Sequence, residues 1–148
     1  MNRLKPLALA LFALLPLGAQ AQSAANCPSL PADAGLKWDV LDGPGFLFCK
    51  ALRDDGSEAF AVTLSRTSPF KPSRSDRAEQ ANIDGQPTYW YESEIAGSNG
   101  EIAREALVDV EGGNVAHISL RARDKALAEQ AMQQAQSLTF RDARLSSN

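Results

Sequence analysis

A single histidine, His117, stands among the 148 residues, so any His-based triad in this chain would have to pass through it. A zinc site would have to join it to carboxylates or spend the two cysteines, Cys27 and Cys49. In the run Asn114 to Ala122 it falls on the face opposite Ala116, Ile118 and Leu120, where a hydrogen-bonded strand residue is the simpler reading. Ser68-Pro69-Phe70-Lys71 has the Ser-x-x-Lys spacing of acyl-enzymes, but Pro72 follows the Lys directly and no Lys-Thr-Gly segment accompanies it. Glu92 with Glu94, and Asp109 with Glu111, are candidate acid-base carboxylate pairs. A solvated sheet face explains them as well as acid-base chemistry does, since no cleft is apparent that would raise one pKa. Gly-rich phosphate loops and metal-ligand spacings are missing, so neither cofactor nor metal is expected. A small exported hydrolase is thus the weakest of the readings considered below.

The N-terminus points to export. Arg3 and Lys5 precede an apolar run from Leu7 to Leu17, and Ala19-Gln20-Ala21 supplies the small residues of a signal-peptidase site, so residues 1–21 read as a signal peptide. Removing them leaves about 127 residues, 22–148, and the loss of two cations takes the formal net charge from −3 to about −5. The apolar run is too short for a permanent span, so a soluble periplasmic or secreted protein is expected after cleavage, which could also follow Ala25. In an oxidising compartment an even cysteine count reads as a Cys27–Cys49 disulfide, a staple worth about 3 kcal/mol on the chain-entropy view. Asn26 precedes Cys27 where a lipid-anchor motif expects a small residue.

The elements that would position these groups are mostly strands. Lys37 to Leu41, Gly45 to Leu52 and Glu58 to Ser65 are β-prone, and Asp55-Gly56 supplies a tight turn between the latter two. Pro69, Pro72 and Pro87 break up a long loop from Thr67 to Pro87, within which Ser73 to Asn82 is polar enough for a short surface helix capped by Ser75 or Asp76. Thr88 to Ile95 extends again, Gly97 to Gly100 turns it back, and Glu101 to Val110 with Asn114 to Ala122 forms the clearest hairpin. From Asp124 to Leu138 the apolar residues Leu127, Ala128, Ala131, Ala135 and Leu138 recur at three- and four-residue steps, an amphipathic helix capped by Asp124. The fold class is α+β: a single antiparallel sheet of about five or six strands with one long C-terminal helix packed on one face.

Three stretches carry a resemblance: Gly35 to Val40, Ile83 to Tyr91, and His117 to Ala122 together with Ala135 to Phe140. They resemble the PsbP/Mog1/DcrB-like group of small exported domains. The resemblance implies hairpins forming an antiparallel sheet with a late helix across it, and a non-catalytic docking or lipoprotein-like role. It transfers no site residues, and the residues before Cys27 depart from the lipidation pattern common among the DcrB-like members.

Net negative charge and export argue against nucleic acid as a partner. Two features favour a protein partner. Arg66, Lys71, Arg74 and Arg77 gather cations in the Pro-flanked loop, and Tyr89-Trp90-Tyr91 is the densest aromatic cluster. Alternation sends Tyr89 and Tyr91 to one face and Trp90 to the other. The leading expectation is a non-enzymatic binding or docking protein acting through these residues, in one version an inhibitor or immunity-type protein. The alternative is a carrier of a small apolar ligand between sheet and helix, which a cavity under the helix lined by Phe46, Phe48, Leu120 and Leu127 would favour.

Overall fold

The computed structural model describes residues 24–93 and 100–146. Seven strands form one antiparallel sheet: β1 (Lys37–Gly43), β2 (Phe46–Leu52), β3 (Glu58–Ser65), β4 (Arg77–Ile83), β5 (Gln86–Glu92), β6 (Ile102–Val110) and β7 (Asn114–Ala122). Their spatial order is β1-β2-β3-β7-β6-β5-β4, so two meanders meet at the β3–β7 pair. One helix, α1 (Lys125–Gln136), follows, and the α+β class holds with more strands than expected. The segment expected to be a signal peptide, residues 1–21, and the turn expected at Gly97 lie outside the described residues.

The added strand is β4, where a surface helix was expected. Only a 3-10 turn, Arg74–Asp76, forms there, and the chain then extends along β5. Two facts explain the difference. Glu79, Ala81 and Ile83 alternate inward, a period-two pattern hidden by the strand's position at the sheet edge, where little apolar surface is required. Asp84 and Gly85 both take positive φ, 50° and 76°, the backbone of a two-residue hairpin turn, so the loop expected to run to Pro87 ends before β4.

Pro87 has no N–H to give a neighbouring strand. Register pairing between β5 and β6 is accordingly confined to Tyr91–Glu105 and Glu92–Arg104. The Gln86 carboxamide spans the gap beyond them, donating from Nε2 to the Asp109 carbonyl at 2.8 Å and accepting the Asp109 N–H at 3.1 Å.

One face of the sheet is the core. Leu47, Cys49, Ala51, Phe60, Val62, Leu64, Trp90, Ala106, Ala116 and Ile118 are buried on it, and Ala128, Ala131, Met132 and Ala135 of α1 pack down against them. The alanines let the helix lie close to β7, and Asp124 caps it by accepting the Leu127 N–H at 2.9 Å. Leu138 and Phe140 continue the apolar cover past the helix end.

The N-terminal segment covers part of the same face. Cys27 is disulfide-bonded to Cys49 at the middle of β2, Ser29 bridges Thr139 in antiparallel fashion, and Trp38 donates its indole N–H to the Pro28 carbonyl at 2.9 Å. The disulfide therefore holds a segment with little regular structure of its own onto the sheet. Replacing both cysteines by serine is expected to cost about 3 kcal/mol, read as a lower urea midpoint at an unchanged slope.

Candidate functional site

The second face of the sheet, away from α1, is where side chains of mixed chemistry come together. Across the central strands its rows read Leu41–Phe48–Thr63–His117–Leu107 and Asp39–Lys50–Ala61–Ser119–Glu105. Tyr91 of β5 pairs with Glu105 and extends the second row, while Tyr89 shares its face. Leu41 is 60% exposed, and Phe46 and Phe48 are half-buried, with Lys50 Nζ 5.9 Å from the Phe48 ring centre.

The loop after β3 crosses this face. Its anchor is Phe70, stacked on His117 at 5.1 Å between centroids and edge-on to Tyr91 at 5.7 Å. Ser68, itself buried, accepts the Phe70 N–H at 3.1 Å and shapes the turn beneath it. Tyr91 in turn meets Tyr89 at 6.4 Å, and the Arg77 guanidinium lies 4.3 Å above the Tyr89 ring. A continuous relay of rings runs from Arg77 to His117, ending in the His117 Nε2 to Glu105 Oε1 contact at 2.9 Å. Aromatic contacts of this kind contribute about 0.5–1.5 kcal/mol each, enough to fix a short loop.

Of the residues singled out from sequence, Arg77, Tyr89 and Tyr91 are brought together, and they line a groove of about 400 Å³ with Gln80, Pro87 and Thr88. Arg66, Lys71 and Arg74 are exposed on the loop beside it and among the described residues make no ion pair. Trp90 is a correction. It is fully buried in the core beneath α1, because alternation turns it away from its two tyrosine neighbours, and it offers nothing to a partner. Tyr91 is 7% exposed and supports the surface rather than forming its outer layer.

Phe70, Leu41 and Glu105 are not singled out by the sequence as members of this face, and Phe48, expected beneath the helix, stands on it instead. For Phe48 the signal was present: Cys49 must face the core to meet Cys27, so its neighbours in β2 must face the other way.

The same parity removes the cavity expected of a carrier. Phe46 and Phe48 stand on the face opposite Leu120 and Leu127, so these four residues share no common space. Trp90, Phe60 and Leu138 fill the layer between sheet and helix. Ser68 and Lys71 sit in an irregular loop rather than on one helical turn, and Glu94 lies outside the described residues. Among the described residues there is no group of three His, Cys, Asp or Glu able to hold a metal ion, and no helix long and apolar enough to cross a membrane.

On the core-side edge, Arg104 donates from Nε and Nη2 to the two carboxylate oxygens of Glu79 at 2.8 and 2.9 Å. These bonds hold the Glu79 carboxyl below its ordinary value of 4.5 and raise the Arg104 guanidinium further. Comparison with protein-family models, curated proteins and solved structures finds no match to the chain.

The ion pair carries a pH signature. A carboxylate depressed in the folded state contributes stability that is complete above its unfolded pKa and is lost as pH falls through the folded value. E79Q should therefore cost no more than about 1 kcal/mol at pH 7, because Glu79 is 43% exposed and solvent screens it. Thermal melts between pH 7 and pH 3 should show the difference from the unaltered protein shrinking below pH 4.5. W90A is expected to cost about 3–5 kcal/mol in the same assay, as a core residue does.

Proposed function

We propose that the chain is an exported, non-catalytic binding protein that docks an acidic partner protein on the second face of its sheet. The observation that carries this reading is the Arg77–Tyr89–Tyr91–Phe70 relay beside a groove of about 400 Å³. Aromatic and arginine side chains supply most of the energy at protein interfaces, and here they are fixed in place before binding. Arg66, Lys71 and Arg74 are exposed on the loop that leads to Arg77 and make no ion pair among the described residues, so this part of the chain has a sign opposite to that of the whole.

An inhibitor or immunity-type role is one form of this reading. Such a protein must present a rigid, charge-selective surface, and the disulfide and the seven-stranded sheet support one. The PsbP/Mog1/DcrB-like resemblance points the same way, toward docking without catalysis. Among the described residues the nearest approach to catalytic geometry is the His117–Glu105 pair, which stacks under Phe70 and lines a groove of about 400 Å³ with Ser93 and Ser119.

The test is capture of partners from the exported fraction of the source cells, followed by titration with the purified partner. R74A/R77A should weaken that complex by about tenfold or more and flatten its dependence on salt, since each lost interface anchor costs about 1–2 kcal/mol. F48D, on the same face, should weaken it as well. E129Q, on the exposed side of α1, should not. Unchanged affinity in both R74A/R77A and F48D would refute the assignment of this face.

A further inference from the structure

Away from the ring relay, three guanidinium groups converge at the end of the sheet, where the β2–β3 turn meets the connection from β7 to α1. Arg53, Arg121 and Arg123 line a groove of about 250 Å³ there, with Asp55, Ser57 and Leu127. Arg121 and Arg123 lie two residues apart at the end of β7, and the fold brings Arg53 of the β2–β3 turn to them.

Arg53 spends its Nη1 on neutral acceptors, the Ser57 hydroxyl at 3.3 Å and the Glu58 carbonyl at 2.6 Å, and its Nε is buried without an acceptor. Arg123 comes no closer than 3.7 Å to the Asp124 carboxylate, which already caps α1 through the Leu127 N–H. Asp55 is the one carboxylate lining the groove. Its Oδ1 accepts both the N–H and the hydroxyl of Ser57, at 2.9 and 2.6 Å, so its charge is turned into the hairpin. Three arginines and one aspartate line the groove, with the Asp124 carboxylate 3.7 Å from Arg123, which leaves an excess of positive charge in a chain that is negative overall.

We propose that this groove binds a phosphate group as a dianion. Guanidinium forks match the oxygens of a tetrahedral oxyanion two at a time, and the excess positive charge of the lining favours the second ionised form. The small volume suits a single phosphate rather than a nucleic-acid backbone. The site is distinct from the ring relay and stands or falls independently of the docking role assigned to it.

The test is titration of the 15N-labelled protein with inorganic phosphate at low ionic strength, followed by amide shifts. Saturable changes are expected at Asp55, Gly56 and Ser57 and at the start of α1. R121Q/R123Q should raise the apparent Kd at least tenfold; both side chains are exposed, so the fold is retained and the spectrum outside the groove should be unchanged. R53K serves as a second variant that keeps the charge but loses the fork, and it should weaken binding less than R121Q/R123Q. Absence of saturation, identical shifts with sodium chloride at matched ionic strength, or the same Kd in R121Q/R123Q would overturn the site.

Discussion

Coverage is the constraint on which this structure turns. A helix of twelve residues is about 18 Å long, whereas seven strands span about 29 Å, and each sheet has two faces to shield. The one helix, α1, lies over β7 and reaches β3, β6 and β4. The strands on the far side need another cover, and the N-terminal segment supplies it, held down by the Cys27–Cys49 bond, the Ser29–Thr139 bridge and the Trp38 indole. What stabilises the sheet's core face is thus a composite of helix, tail and stapled leader segment. With all of these used on one side, the second face is covered among the described residues by the Phe70 loop.

That shortage connects packing to function. A half-covered sheet face must be either polar or a contact surface, and this one is mixed: Leu41, Phe46 and Phe48 toward one edge, charged and hydroxyl side chains near the centre, edge-on tyrosines and Arg77 toward the other. The Phe70 loop divides it. The ring of Phe70 packs on His117 and Tyr91, while Tyr89 and Arg77 line the groove beyond it.

Much of the fold was legible because it rests on local periodicity. The β6–β7 hairpin and α1 are written in steps of two and of three to four, and the disulfide follows from there being only two cysteines. The strand at β4 was obscured because an edge strand needs few apolar residues, and its three flanking prolines suggested a loop; the Asp84-Gly85 turn was the available sign. Arg77, Tyr89 and Tyr91 could be named from sequence as an aromatic and basic cluster. Their partner Phe70 could not, because it reaches them across the sheet from a loop with no periodic pattern, and Trp90 was assigned to the surface although parity alone sends it to the opposite side.

The central claim is that the two faces differ in purpose, one closed by packing and one left for a partner. Amide hydrogen exchange on the complex with the captured partner tests this most directly. The account predicts new protection along the Phe70 loop and β4, with amides of α1 and of the stapled N-terminal segment unchanged. Protection concentrated on α1 or on that segment, with the Phe70 loop exchanging as in the free protein, would contradict it.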